Sequence, residues 1–258
     1  MENKNRLLKG IIMRIYKTIK DALNETFRDL KVRGISVECN SYQDKKLKGK
    51  DRIVKELMGV SFKIDKPDLN LQEAIEYVFK EESEKIIKYC EQEIKDRCSG
   101  KPLNPGNSYK IRQDMWNKFL ENNKKFSYQY AERLWTKNQF KTVIDCLKKD
   151  SGTRQAVLSI WNSDKDMKSE KIGGGNRIPC SLNYQFLIRN NRLHCIYSMR
   201  SNSAIEHCPI DLYCTTGIMK FIVKELKSTY PGLKIGSLTY ICGSLHAFQW
   251  NLKNWVLF

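Results

Sequence analysis

The sequence predicts a single α+β domain over residues 1–258, because its pattern changes near the middle of the chain. Before Gly152 most apolar residues recur every three or four positions, as they do in helices that bury one face. After Gly152, apolar runs of strand length alternate with turn signals. No linker or internal repeat divides the chain, so we expect one core.

The first half is predicted to be mainly helical. Leu7–Leu30 reads as an amphipathic N-terminal helix, and residues 71–94 and 126–147 read as two more. Residues 54–64 alternate loosely and end before a Lys-Pro pair, which predicts a strand and a turn. Residues 43–52 are polar and rich in lysine, so we expect a loop there.

The second half is predicted to contain a β-hairpin, because two apolar runs, residues 181–188 and 193–199, flank Arg189-Asn190-Asn191-Arg192. The other elements predicted here are a strand at 155–161, a glycine-rich loop at 168–177, a helix at 212–226 and a strand at 237–242.

The chain has a net charge of +17, which favours an anionic partner. Its lysines are interleaved with acidic residues, so a lysine-rich source proteome and a phosphorylated small molecule are both favoured over nucleic acid. The nine cysteines are irregularly spaced and no secretory signal precedes them, so we expect a reducing, cytoplasmic setting. No apolar run reaches the ~18 residues of a membrane span, and we expect none.

Cys180 and His246 are candidate reactive residues. Cys180 follows Pro179 between the glycine-rich loop and a predicted strand, where a nearby guanidinium would favour its thiolate. An inert, half-buried cysteine and a structural histidine are the alternatives. Cys208 and Cys242, with neighbouring histidines, lack a Cys-x-x-Cys spacing, so we predict no metal site.

A series of short motifs in residues 128–248 resembles the thymidylate synthase family in order and spacing. They are Tyr130-Ala131-Glu132-Arg133, Thr153–Asn162, Pro179-Cys180, Gln185-Phe186, Arg200-Ser201, Pro209-x-Asp211 and Gly243-Ser244-Leu245-His246-x-Phe248. The resemblance implies a large mixed β-sheet with flanking helices and a homodimer formed by sheet-on-sheet packing. It also implies a pyrimidine nucleoside monophosphate as substrate and 5,10-methylenetetrahydrofolate as the one-carbon donor.

The resemblance further implies a phosphate site shared between two subunits. Arg200 and Ser201 of one subunit and Arg154 of the other would bind the phosphate. Arg52 is our candidate for an additional N-terminal arginine of the family, and Arg33 competes with it. Arginine suits this task because its planar fork meets phosphate oxygens bidentately.

The family's chemistry assigns roles to the remaining motif residues. Cys180 would add to C6 of the pyrimidine, which makes C5 nucleophilic. A carboxylate would then manage protons, and Glu76 is our candidate, with a surface helix glutamate as the alternative. Tyr130 and His246 are assigned to substrate binding.

Asp211 indicates which pyrimidine base the site would bind. Family members that act on uracil generally have asparagine at this position, whereas an aspartate accepts from the exocyclic amine of cytosine and resembles the pattern of cytidylate hydroxymethylases. Those relatives add water to the one-carbon intermediate. Aspartate also occurs in divergent synthases, so uracil stays open as the alternative.

Several departures from the family pattern concern the folate end. Ser203 stands where the family has a folate-contacting aspartate, and His207 replaces a glycine. Gln155, Ser181 and Phe248 replace an arginine, a histidine and a sugar-binding tyrosine. From Cys180 and Asp211 we predict folate-dependent C5 hydroxymethylation of CMP or dCMP. Because of these departures, a nucleotide-binding protein with lost or altered folate chemistry is one alternative. A thymidylate synthase acting on dUMP is the other.

Overall fold

The computed structural model describes residues 13–39, 41–42, 45–46, 48–122, 124–167 and 177–253. Within them the chain forms a mixed seven-stranded sheet with flanking helices, which confirms the predicted α+β class. The strands are β1 (Arg14–Tyr16), β2 (Ile35–Glu38), β3 (Ser41–Tyr42), β4 (Lys45–Lys46), β5 (Ile53–Ile64), β6 (Val157–Ser159), β7 (Ser181–Arg189), β8 (Arg192–Ser203) and β9 (Lys234–Phe248). The large sheet has the order β1-β5-β9-β8-β7-β6, β2 pairs with β5, and β3 and β4 pair separately.

The helices lie mainly between β5 and β6 and between β8 and β9. They are α1 (Ile19–Arg33), α2 (Leu71–Phe79), α3 (Ser83–Arg97), α4 (Gln113–Trp116), α5 (Tyr130–Trp135), α6 (Gln139–Lys149), α7 (Ser163–Asp166), α8 (Cys208–Leu226) and α9 (Gln249–Lys253). None of these described helices has the length and apolar character to cross a membrane.

The predicted N-terminal helix begins later than its apolar pattern. Arg14–Tyr16 is a strand parallel to β5, and α1 starts after Thr18. The Thr18 side chain accepts from the backbone N–H of Asp21, and the Asp21 carboxylate accepts from the Thr18 N–H. This capping box stabilises a helix start at that point. Residues 7–12 of the prediction lie outside the described residues.

Each of the two long helices predicted for the first half is interrupted in the structure. Lys80, between α2 and α3, has φ 48°, and Lys137 and Asn138, between α5 and α6, have φ 57° and 55°. A left-handed residue cannot continue a right-handed helix, so the chain turns at each point. The apolar periodicity continues across both breaks, which is why it predicted single helices.

The predicted hairpin of β7 and β8 is confirmed. Asn190 and Asn191 occupy its tip with φ 50° and 55°, as a two-residue turn of this kind requires. β8 then runs parallel to β9, and their register places Ser201 opposite Ser244. The sheet therefore brings the ends of β8 and β9 to one edge.

The core lies between the sheet and the helices. Tyr184, Tyr197 and Tyr240 are fully buried on adjacent strands, and the rings of Tyr184 and Tyr197 stack with centroids 4.5 Å apart. α8 lies across this face and is buried along most of its length.

Candidate active site

A cavity of about 300 Å³ lies where β7, β8 and β9 meet α3, α8 and the segment before α5. Six of the nine residues that the sequence predicted for a site line it: Tyr130, Cys180, Arg200, Ser201, Asp211 and His246. Ser203 and His207, which depart from the family pattern, line it too. The predicted residues Arg52, Glu76 and Arg154 do not.

Cys180 lies immediately before β7 and faces the cavity beside Arg200. The Nη2 atom of Arg200 lies 3.8 Å from the Cys180 sulfur, and its Nε and Nη2 donate to the carbonyls of Pro179 and Ile178 at 2.9 and 3.0 Å. Burial raises the pKa of the Cys180 thiol above its ordinary value, and the Arg200 charge opposes that rise. The guanidinium is thus placed to stabilise the thiolate once it forms.

Ser201 and His246 meet across β8 and β9. The Ser201 hydroxyl lies 3.4 Å from His246 Nδ1. Gly243 permits the close approach of the strands, because a Cβ there would lie 2.8 Å from the Arg200 carbonyl oxygen. Burial lowers the pKa of His246, so a neutral imidazole is favoured. This pair presents neutral hydrogen-bonding groups next to the Arg200 charge.

Asp211, in the first turn of α8, is the buried carboxyl at the base of the cavity. Its Oδ2 accepts from Asn202 Nδ2 at 3.1 Å, and the same amide donates to the Tyr240 hydroxyl at 3.1 Å. Burial raises the pKa of Asp211 to about 7, although the Arg97 charge and the Asn202 hydrogen bond oppose the rise. A carboxyl of this kind can hold or release a proton near neutral pH.

Glu93 is a cavity carboxylate that the sequence reading missed. It lies on α3 and is 3% exposed; its Oε1 accepts from Arg97 Nε at 2.8 Å, and its Oε2 accepts from Ser108 Oγ at 2.5 Å. Glu76 instead lies exposed on α2, outside the cavity, because it is on the solvent face of that helix. Glu93 therefore replaces Glu76 as the candidate acid–base carboxylate.

Glu93 had a recognisable signal in the sequence. It follows Ile86 and Cys90 at helical spacing and precedes Arg97 by four residues, all on the buried face of α3. A charged pair on an apolar helix face is rarely buried without a partner or a function.

Tyr130 supports the cavity wall rather than projecting free into it. Its hydroxyl accepts from the Ser181 N–H at 3.4 Å, next to Cys180. The Arg97 guanidinium lies 4.7 Å from the centre of its ring. Tyr130 therefore links α3 to the start of β7.

The two arginines outside the cavity have different surroundings. Arg154 is exposed before β6, and its carbonyl accepts from Gln185 Nε2 at 2.9 Å. Arg52 precedes β5 and forms a salt bridge with Glu38, with 3.0 Å between Nη2 and Oε2. Within one described chain neither reaches the Arg200 end of the cavity.

Aromatic side chains and two further arginines, Arg112 and Arg177, form another part of the cavity wall. The Arg177 guanidinium lies 5.0 Å from the Trp116 ring centre and 5.0 Å from that of Tyr128. The ring centroids of His207 and Trp116 are 6.5 Å apart, and burial lowers the pKa of His207 to about 4. Arg112 lies over Tyr89 at 5.2 Å. The predicted loop 168–177 lies outside the described residues except for Arg177.

The thymidylate synthase family model matches residues 104–255, more than half of the chain. The chain belongs to the thymidylate synthase family. Membership explains why Cys180 and the motif residues of β8, α8 and β9 gather at one cavity.

Curated thymidylate synthase relatives match slightly less than half of the chain at low identity. A Methanocaldococcus jannaschii relative named for this family is 28% identical over 130 residues, which cover 48% of this chain and 56% of the relative. The Francisella philomiragia thymidylate synthase is 26% identical over 119 residues, 43% of this chain and 42% of that protein. The chain thus spans about half the length of the curated relatives it matches.

Solved thymidylate synthases share the fold over most of the chain. Thermostable thymidylate synthase A from Bacillus subtilis superposes with a TM-score of 0.63 at 14% identity, covering 92% of this chain and 82% of that one. The T4 phage enzyme gives 0.59 at 17% identity, with 88% and 76% covered. The thymidylate synthase-like fold predicted from the motifs is therefore confirmed.

Proposed function

We propose that this protein hydroxymethylates C5 of a cytidine monophosphate nucleotide, CMP or dCMP, through a covalent bond between Cys180 and C6 of the base. The observation that carries the proposal is that Cys180, Arg200 and Asp211 line one cavity. They supply a nucleophile, a phosphate-binding cation and a base-reading carboxyl. Family membership supplies the class of reaction.

Cys180 acts on the base. Its thiol is protonated at rest because burial raises its pKa, and it must lose that proton before it attacks. As the S–C6 bond forms, the C5=C6 electron pair becomes available at C5, which then attacks the one-carbon unit. Loss of the C5 proton, departure of tetrahydrofolate from the transferred carbon and addition of water to that carbon would give the hydroxymethyl group, and release of the Cys180 thiolate would restore the ring.

Asp211 selects cytosine in this proposal. Cytosine presents a donor at N4 and an acceptor at N3, and a carboxyl that carries its proton matches both groups. Burial raises the pKa of Asp211 to about 7, so the proton is available near neutral pH. Uracil presents an acceptor at O4 and a donor at N3, which an asparagine amide matches better.

Glu93 serves as the proton-handling group beside the base. Its two oxygens are oriented by Arg97 and Ser108, and it lines the cavity with Asp211. A carboxylate held in this way can orient a water molecule for proton transfer at C5.

The aromatic part of the cavity wall suits the folate co-substrate. Trp116 and Tyr128 provide flat walls, and the buried Nη1 of Arg112 and Nε1 of Trp116 have no hydrogen-bond partner among the described residues. A flat ring with carbonyl oxygens and an anionic tail fits such walls and donors. When bound, 5,10-methylenetetrahydrofolate would supply the one-carbon unit.

A homodimer would complete the phosphate site. Arg200 and Ser201 bind the phosphate in this proposal, and Arg154, exposed on the surface, reaches the site of the partner. The face of the sheet away from the helices carries apolar side chains, with Val157 41% and Ile241 39% exposed. Burying such a face between two copies is favourable. Arg52 stays a proposed phosphate ligand.

A second candidate function is nucleotide binding with altered folate chemistry. Ser203 and His207 line the end where the family pattern has an aspartate and a glycine, and His207 packs near Trp116. These substitutions favour this alternative over a dUMP-specific synthase, which Asp211 disfavours. The free cysteines fit the proposed cytoplasmic setting.

The test is to incubate the protein with CMP, dCMP, UMP or dUMP, each tritiated at C5, and methylenetetrahydrofolate. We expect tritium release from a cytidylate and a product heavier by one CH₂O group. Asp211→Asn should shift the preference toward uracil, with Glu76→Gln as the matched control. Nucleotide binding without tritium release would instead establish the second candidate.

A further inference from the structure

Asn202 is a buried amide that connects Asp211 to the sheet. It lies near the end of β8, is 2% exposed and lines the cavity. Its Nδ2 atom lies 3.1 Å from Asp211 Oδ2, 3.1 Å from the Tyr240 hydroxyl and 3.0 Å from the Met199 sulfur. These neighbours belong to α8, β9 and β8, so the amide is held from three elements at once.

Met199 decides which end of the Asn202 amide faces these neighbours. The Tyr240 hydroxyl and a protonated Asp211 carboxyl can each donate or accept, so either of them can meet the amide nitrogen or the amide oxygen. A thioether sulfur accepts weakly and cannot donate. At 3.0 Å from the Met199 sulfur the amide nitrogen gains a hydrogen bond, whereas the amide oxygen would gain none. Asn202 is therefore a donor toward Asp211.

The direction of this hydrogen bond determines where the Asp211 proton lies. Burial raises the pKa of Asp211 to about 7, so the acid form is populated near neutral pH. Oδ2 accepts from Asn202, which makes it the carbonyl oxygen of that acid, because the carbonyl oxygen is the stronger acceptor. No described side chain hydrogen-bonds to Oδ1. The acid thus presents a donor at Oδ1 and an acceptor at Oδ2.

Glu93, the other buried carboxyl of the cavity, is held differently. Each of its oxygens accepts one hydrogen bond, from Arg97 Nε and from Ser108 Oγ. Both Glu93 oxygens are thus acceptors toward the protein, whereas Asn202 makes the two oxygens of Asp211 unequal. Of these two carboxyls, Asp211 is the one that presents an ordered donor and acceptor to a ligand.

We propose that Asn202 is a positioning residue that sets the donor–acceptor order of Asp211 and thereby selects cytosine over uracil. Cytosine presents an N3 acceptor beside an N4 donor, so N3 accepts from the Oδ1 hydroxyl while the N4 amine donates to Oδ2. Uracil in the same position would present a donor to the Oδ1 hydroxyl and an acceptor to Oδ2, and both contacts would be repulsive. The inference rests on the proposed function for the contact between the base and Asp211, and it assigns the choice of base to Asn202.

The test measures CMP and UMP binding by calorimetry at about pH 6, below the Asp211 pKa of about 7, without folate. The intact protein should bind CMP more tightly than UMP. Asn202→Leu keeps the approximate size of the side chain and removes the donor, so either Asp211 oxygen can carry the proton. The CMP-to-UMP affinity ratio should then fall about tenfold. An unchanged ratio in Asn202→Leu would overturn the inference.

Two further variants separate this effect from a general loss of structure. Thr216→Val removes a buried hydroxyl of α8 that donates to the Leu212 carbonyl away from the cavity, and the ratio should stay within about twofold. Met199→Leu keeps Asn202 but removes the sulfur that orients its amide, so the ratio should fall, though less than in Asn202→Leu. An unchanged ratio in Met199→Leu would contradict the orientation of the amide, and it overturns the inference by itself where Asn202→Leu does not fold.

Binding without folate separates this inference from the proposed reaction. A cytosine preference that depends on Asn202, without tritium release from C5, would support the inference and contradict hydroxymethylation. Tritium release from a cytidylate, with a cytosine preference that Asn202→Leu leaves intact, would support the reaction and refute the role of Asn202. Equal binding of CMP and UMP by the intact protein would overturn both the role of Asn202 and the assignment of the base.

Discussion

The cavity has a sheet-borne end and a helix-borne end, and the two differ in how their side chains are fixed. Cys180, Arg200, Ser201 and His246 belong to adjacent strand ends, where backbone register sets their spacing. The helix-borne end, with Glu93 as an example, depends on how α3 packs against α8. The β7–β8 register follows from a two-residue hairpin turn, whereas helix packing depends on the whole core.

This difference explains which residues the sequence predicted. The Arg-Ser pair and the Gly-Ser-Leu-His motif lie on paired strands, so recognising the motifs was sufficient to bring Arg200 and His246 together. Glu76 and Glu93 both lie in one segment with helical periodicity, and choosing between them required the break at Lys80. The apolar periodicity of a sequence does not reveal a residue with positive φ, such as Lys80.

Among substitutions that leave the Cys180 thiol in place, the largest expected effect comes from the carboxylate at the helix-borne end. Glu93→Gln should lower C5–H exchange by about 10²- to 10⁴-fold, because general acid–base catalysis contributes in that range. The matched substitution Glu76→Gln should leave the rate within about twofold, since Glu76 is exposed on α2. Exchange rates of tritiated CMP measure both. Equal losses of exchange rate in the two variants would contradict the assignment of the acid–base role to Glu93.

Substitutions of the phosphate-binding arginines at the sheet-borne end should have smaller effects, and the effect at Arg154 should depend on the partner subunit. Arg200→Met should weaken CMP binding about 10- to 100-fold, because a charge-assisted contact to phosphate is lost.

If Arg154 acts across the dimer, Arg154→Met and Cys180→Ala proteins should each be inactive alone and regain exchange when mixed. The mixed dimer then contains one complete site. No recovery in demonstrably mixed dimers would place Arg154 outside the phosphate site.

The smallest expected effect concerns stability at the junction of the two ends. The pKa of Asp211 is raised to about 7, so the folded state retains a proton that the unfolded chain loses near the ordinary carboxyl pKa of 3.8. The Asp211 contribution to the unfolding free energy therefore falls as pH rises from about 4 to 7. Denaturant titrations of the protein and Asp211→Asn should diverge across that window. If the unfolding free energies of the two proteins changed with pH in parallel, the pKa of Asp211 would not be raised in the folded state.

The part of the cavity wall formed by aromatic rings and Arg177 shows the limit of sequence reasoning most clearly. His207 and Ser203 were recognised as departures from the family, but the motifs gave no reason to examine Arg177 in the glycine-rich loop. Its importance comes from Trp116, Phe126 and Tyr128, which lie 49 to 61 residues earlier in the chain. Such a contact follows only from the folded core.

Tritium release from C5 of CMP by the intact protein and by Cys180→Ala tests the central claim most directly. The intact protein should release tritium with methylenetetrahydrofolate, and Cys180→Ala should release none while CMP binding stays within about twofold, since the thiol acts on C6 and Arg200 on the phosphate. Release by Cys180→Ala at the rate of the intact protein would contradict the account.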